Sequence, residues 1–156
     1  MHFRPATSAE AEPLSELALR SKAHWGYAPD FLEVCRAELT IDSSQIAASR
    51  IIVADHLGRV VGFYSLLGEP PVGELGHFFV EPSWMGRGVG RSLWCHMSTA
   101  ASTLGFNRIR IESDPGATPF YEAMGAQRIG SVQSGSVEGR RLPLLNYPVP
   151  TPGMSA

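Results

Sequence analysis

Cysteine is nearly absent from this chain. Its 156 residues hold two, Cys35 and Cys95, in no CxxC or ligand-spaced pattern. That excludes a disulfide framework or a cysteine-built zinc site as the organising principle, and no metal is expected. Both are read as buried thiols of a cytosolic protein. Long apolar runs are missing too, so no segment is expected to cross a bilayer. The start, MHFRPATSAE, lacks the apolar centre of a signal peptide, and a cytoplasmic location follows as the expectation. Basic runs are missing as well, and the formal net charge is −2, so nothing points to nucleic acid as a partner. Internal repeats are not found. What is present, 44% hydrophobic and 18% charged residues, suffices for one well-packed domain.

Periodicity then assigns elements. His2–Arg4 reads as an edge strand. Thr7 and Glu10 match a capping box, and Leu14, Leu17 and Ala18 follow at helical spacing to about Arg20. Residues 21–29 read as an aromatic loop or a frayed helix end. Pro29-Asp30 opens a second helix with Phe31, Val34 and Leu39 on one side. Ile51–Ala54 and Val60–Leu66 are β-rich runs around Asp55-His56-Leu57-Gly58, a hairpin signal. Glu74–Val80 is the next strand. Gly88–Leu104 is a long helix with an apolar stripe of Leu93, Met97, Ala100 and Leu104, closed by Gly105. Arg108–Ser113 is a strand, and Asp114-Pro115 is read as the cap of a short helix bearing Phe120, Tyr121 and Met124. Gln127–Val132 and Leu142–Tyr147 close the pattern. The order specifies an α/β or α+β domain with a mixed sheet. The last residues, 148–156, are Pro-rich and are expected to form a flexible tail behind a domain spanning 1–147.

The richest stretch is Glu74–Arg91, ELGHFFVEPSWMGRGVGR. A strand, a turn at Pro82 and a glycine-rich loop lead into the long helix. Gly86, Arg87, Gly88, Val89, Gly90 and Arg91 set backbone N–H groups at a helix N-terminus, where no carbonyl inside the helix accepts from them. Those donors, the helix dipole and two arginines suit phosphate oxygens, and the glycines let a ligand approach the backbone. A dinucleotide fingerprint fits less well, because the glycines follow an apparent hairpin rather than the first strand of a βαβ unit. The lysine of a P-loop is absent.

This arrangement resembles the GNAT family of N-acetyltransferases from Phe3 to about Tyr147. Three segments carry the likeness: Met85-Gly86-Arg87-Gly88-Val89-Gly90 as the acetyl-CoA loop, Phe120-Tyr121-Glu122 followed by Met124-Gly125-Ala126, and Ser134 through Leu145. Met85 stands where the family usually has Gln or Arg. The resemblance implies a single GNAT-like domain, a twisted mixed sheet flanked by helices on both faces, with a V-shaped opening between two parallel strands. It implies an N-acetyltransferase moving the acetyl group of acetyl-CoA to a primary amine by direct attack in a ternary complex. The alternatives are a non-catalytic CoA-binding regulatory module and an acyltransferase using a longer acyl-CoA. The acceptor is a small amine or a peptide, and a homodimer is a family-level expectation.

The resemblance also assigns roles. Glu74 is the first candidate for the base that takes the amine proton, against the reading of a solvent-facing carboxylate. His77 is the rival, facing away from Glu74 on simple alternation unless a bulge intervenes; a packed histidine is its other reading. Asp114 is read as a helix cap rather than a base. Tyr121 is the candidate acid for the thiolate, against the reading of a core aromatic with its hydroxyl at the edge. Phe79 and Val80 offer main-chain groups to the pantetheine arm, and Met85 through Arg91 hold the pyrophosphate. Trp25 and Tyr27 are candidates over the acceptor cleft, or struts pinning helices to the sheet. Arg140 and Arg141 are candidates for an acidic group on the acceptor, or a solvated pair.

Overall fold

Beta-branched and aromatic runs place the strands, and in the computed structural model, which describes residues 1–151, they form one sheet. The strands are β1 (His2–Pro5), β2 (Ile51–His56), β3 (Arg59–Leu67), β4 (Val72–Val80), β5 (Arg108–Glu112), β6 (Gln127–Gln133) and β7 (Arg141–Pro148). The helices are α1 (Ala11–Ala23), α2 (Pro29–Leu39), α3 (Ser43–Ala48), α4 (Val89–Leu104) and α5 (Thr118–Ala123). The seven strands are ordered β1-β2-β3-β4-β5-β7-β6, and only β4 and β5 run parallel. Strand alternation sends Tyr64 and Leu66 to a core shared with α4 and α5, and Val53 and Phe63 to a core shared with α1 and α2. The sheet is thus covered on both faces, as expected.

The β4–β5 pairing sets the stage for everything else. It lasts only from Val72–Glu74 against Arg108–Arg110, and the two strands then separate. On its other side β4 stays paired with β3 as far as Val80. The backbone of residues 75–80 therefore has a strand neighbour on one side only.

Several expected details change. Helix α3 has no counterpart in the sequence reading, although Asp42 and Gln45 form its reciprocal cap. On α2 the buried residues are Cys35 and Leu39, while Val34 is 54% exposed. On α4 the buried stripe is Val89, Leu93, Trp94, Met97 and Ala101, so Ala100 and Leu104 fall at its margin. Cys95 is exposed rather than buried. The expected tail is packed where it begins: Pro148 ends β7, Val149 is buried and its N–H donates to Asn107 O at 2.9 Å. Residues 152–156 lie outside the described residues.

The capping box before α1 forms and extends into the sheet. The Thr7 N–H donates to Glu10 Oε1 at 2.8 Å, and the Arg4 guanidinium grips both Glu10 oxygens at 2.9 Å. Hydrogen bonding from Arg4 holds the Glu10 carboxyl down at about 2, from 4.5. A carboxyl whose pKa is lower in the folded chain stabilises above its unfolded value and loses that contribution as pH falls through the folded one. Glu10→Gln is therefore expected to cost about 1–3 kcal/mol of unfolding free energy at pH 7. The gap to the parent should close between pH 4.5 and 2. Urea titrations at both ends of that window check it; a gap independent of pH would assign the loss to shape rather than charge.

Candidate active site

Two clefts meet where β4 and β5 part. The first, of about 340 Å³, lies between the end of β4, the glycine loop and α5. Val80, Met85, Gly86, Gly88, Gly90 and Arg91 line it. Gly86 and Gly88 have φ of +78° and +85°, and a Cβ built on either would meet no protein atom within 4 Å. Their missing side chains are therefore open cleft, which a ligand can occupy against the backbone. No hydrogen bond among the described residues uses the N–H groups of Gly86 through Arg91, and the first turn of α4 begins with the Ser92 N–H donating to Gly88 O at 3.0 Å. These donors at the head of the 16-residue helix α4, with Arg91 beside them, fit the diphosphate of a CoA-type molecule.

Not every loop residue faces that cleft. Val89 is buried under the sheet, and Arg87 lies over the Trp84 ring at 5.0 Å. Phe79 turns its ring to the opposite side, near Phe63 and His77. Arg20 on α1 anchors that helix to the end of β4. Its guanidinium donates to both oxygens of buried Glu81, at 3.0 and 2.7 Å, fixing α1 against the residue that follows β4.

The second cleft, of about 250 Å³, opens on the other side of the split and is lined by polar groups of β4, β5, α1 and the β6–β7 loop. A bulge shapes it. The β3–β4 register shifts at Gly76, so that Leu75 pairs with Leu66 and His77 with Ser65. A Cβ at Gly76 would lie 2.7 Å from the Ser65 hydroxyl and from Leu67, so a larger residue there would displace those side chains. The bulge turns His77 onto the same side as Glu74, against the simple alternation. His77 is half-buried, bonds Ser65 Oγ at 2.8 Å and is kept neutral by burial, which lowers its pKa.

Glu74 is exposed at the split, with Arg110 as its strand partner. Its carboxyl meets that of Glu112, two residues further along β5, a residue that sequence reasoning passed over. Burial first, then hydrogen bonding and like charge from Glu74, push the Glu112 carboxyl up. Glu112 thus joins Glu74 at the split as a carboxyl whose ionisation its surroundings disfavour. Only the strand pairing could have signalled this, since the two acids are far apart in sequence.

Tyr121 and Phe78 are shared by both clefts. The Tyr121 ring packs edge-on against Phe78 at 5.9 Å and beside Trp94 at 5.8 Å. Its hydroxyl takes part in no hydrogen bond among the described residues. Burial, with a smaller contribution from Asp114, pushes that phenol well above its ordinary range, so it is protonated at neutral pH.

Trp25 and Tyr27 go to different places. Trp25 lines the first cleft and packs on Gly116, where a Cβ would fall 2.8 Å from its ring. Tyr27 stacks on Phe31 at 4.5 Å and bonds Asp114 at 2.9 Å. Asp114 does not cap α5, whose N-cap is Ala117. It accepts instead from Lys22 at 3.0 Å, from Tyr27 and from the Gly116 N–H at 2.9 Å. Arg140 faces the second cleft. Arg141 lies outside it and bonds Ser131.

The parted parallel strands and the glycine loop beside them agree with the fold that the sequence resemblance implied. Residues 30–137 match the acetyltransferase (GNAT) domain family, and the chain belongs to that family. Its fold is similar to a GCN5-related N-acetyltransferase of Rhodopseudomonas palustris (20% identity, TM-score 0.77, 94% of each chain covered). It is also similar to PaiA N-acetyltransferase of Thermoplasma acidophilum, solved with coenzyme A (16% identity, TM-score 0.74, 94% of this chain and 98% of that one). A stretch of 75 residues is 31% identical to glucosamine 6-phosphate N-acetyltransferase of Trypanosoma brucei brucei. That match takes in 44% of this chain, which spans about half (51%) of that relative's length. No described helix is long and apolar enough to cross a membrane.

Proposed function

We propose that the protein is an acetyl-CoA-dependent N-acetyltransferase acting on a small primary amine in a ternary complex. The observation that carries this reading is Tyr121, which lines both the cleft at the glycine loop and the carboxylate-lined one. Acetyl-CoA, when bound, supplies a thioester carbonyl open to attack by an amine. The N–H groups of Gly86 through Arg91 bind its diphosphate, Phe79 and Val80 offer main-chain groups to its arm, and Tyr121 presents a proton to the departing sulfur. Glu74, backed by Glu112, takes the amine proton directly or through water, since an alkylammonium with a pKa of about 10 is no nucleophile. The relatives named above differ in acceptor, so none of their substrates is carried over. A homodimer and a cytoplasmic setting belong to the same proposal.

Titrating acetyl-CoA into the protein, together with a CoA-release assay over a panel of amines, tests the reading. Binding with amine-stimulated release supports it. Binding without release from any amine would favour a CoA-binding regulatory module, and no binding would overturn both.

The acid pair has its own signature. Two neighbouring carboxyls resist ionising together, so one proton is held to higher pH. Glu74→Gln is expected to lower kcat/KM about a hundredfold at pH 7. Glu112→Gln should keep turnover and remove from the kcat/KM profile the inflection that belongs to the pair's retained proton. Superimposable limbs for parent and Glu112→Gln would remove the pair from the proton path.

A further inference from the structure

Lys22, Asp114 and Arg140 come from separate parts of the chain and converge on one wall of the second cleft, joined by the Tyr27 hydroxyl. Lys22 Nζ donates to Asp114 Oδ2 at 3.0 Å. The Tyr27 hydroxyl donates to Asp114 and accepts from Arg140 Nη2 at 2.8 Å, with Arg140 lying 3.8 Å from Asp114. The cations are largely enclosed, with side-chain exposures of 13% for Lys22 and 18% for Arg140. Aromatic rings hold them there: Arg140 lies 4.8 Å from the Phe31 ring and Lys22 5.3 Å from that of Tyr27.

One carboxylate answers two cations, which leaves a positive charge without a protein partner. Donors are left over too. Among the described residues Lys22 uses one ammonium hydrogen and Arg140 one guanidinium nitrogen, while an ammonium has about three donors and a guanidinium about five. Enclosed cations with spare donors make a ready-built anion subsite. Glu74 and Glu112 sit on the strands that border the same cleft, with Glu38 contributed by α2. The cleft therefore carries charges of both signs. A simple anion would meet the carboxylates, and a plain alkylamine would leave the Lys22 and Arg140 donors unmatched.

We infer that Lys22 and Arg140 form an anion subsite, and that the acceptor is a small amine bearing a carboxylate or phosphate group. The inference rests on reading this cleft as the acceptor site. At about 250 Å³ the cleft suits a small molecule, whose amine turns to Glu74 while its anionic group reaches Arg140. Tyr27 and Asp114 are positioning residues, fixing the cations rather than touching the acceptor.

The test compares amines of one chain length: an alkylamine, an ω-amino carboxylate, an aminoalkyl phosphate and a diamine. Each is assayed for CoA release and for binding to the CoA-saturated protein. The carboxylate or the phosphate should exceed the alkylamine in kcat/KM by about tenfold or more, and which of them leads identifies the anion. Arg140→Gln and Lys22→Gln should each erase most of that advantage through KM, and weaken binding of the favoured acid about tenfold. Arg141→Gln, the same charge change outside the cleft, should leave the ratio as it is. Preference for the diamine, or equal loss for every amine in Arg140→Gln, would overturn the subsite. Arg140-dependent binding of the acid without any turnover would uphold the subsite and defeat the transfer reaction. Turnover without preference would do the reverse.

Discussion

Tyr121→Phe is expected to cut kcat at least tenfold while acetyl-CoA affinity and thermal stability stay close to those of the parent. The three quantities separate because the side chain has two parts with different work. Its ring belongs to the aromatic cluster of Phe78, Trp94 and Phe120, and phenylalanine keeps those contacts. Its hydroxyl takes part in no hydrogen bond among the described residues, so removing it orphans no buried partner. What is lost is a protonated phenol beside the place where a thiolate would depart, and general acid catalysis of that kind is worth about a hundredfold or more. Burial pushes the phenol up, so the proton is on oxygen throughout the neutral range. A raised pKa also makes a weaker acid, so the role rests on the hydroxyl's position beside the leaving group rather than on the shift. Steady-state kinetics, calorimetric titration and a melting curve together decide it. Unchanged kcat would return Tyr121 to the core and leave the sulfur's proton to water.

The parts of this site that could be read from the sequence are those set by neighbours along the chain. The glycine loop leading into α4, the Gly105 that closes that helix and the short helix bearing Phe120 and Tyr121 are local patterns, and the elements stand where the spacing implied. The parts that could not be read depend on pairing across the fold. Gly76 becomes a bulge only because Ser65 and Leu66 slip against it, and that slip carries His77 to the side of Glu74. Glu112 matters only because β5 runs beside β4 for three residue pairs before parting from it. Asp114-Pro115 looks like a helix cap, yet its carboxylate is drawn to Lys22, 92 positions away, and to Tyr27, 87 positions away. The carboxylate makes a local turn bond with the Gly116 N–H and the long-range bonds at once, while the helix start falls at Ala117. Helix α3 escaped for the opposite reason. Its Asp42–Gln45 cap is a local signal, but six residues, SSQIAA, show too little apolar periodicity to mark a helix.

Gly88→Val should abolish detectable binding of acetyl-CoA, a loss of about a hundredfold or more, in a protein that still folds. Two physical effects add at this position. At φ +85° a β-branched side chain is forced into a backbone region that it strongly disfavours, so the loop must shift away from the geometry that aims its N–H groups into the cleft. Its Cβ would also stand in open space on the cleft side, with no protein atom within 4 Å, where the diphosphate would come against the backbone. A control distinguishes strain from occlusion. Gly58, in the β2–β3 turn, has φ +89° and equally empty surroundings but lies outside both clefts. Gly58→Val should lower the melting temperature while retaining cofactor affinity. If both variants bind acetyl-CoA like the parent, the glycine loop does not hold the diphosphate. If both lose it, binding follows global stability and the loop carries no special role. Loss in Gly88→Val alone would tie the cofactor to the head of α4 and, through the strand that feeds it, to the split between β4 and β5 where the two clefts meet.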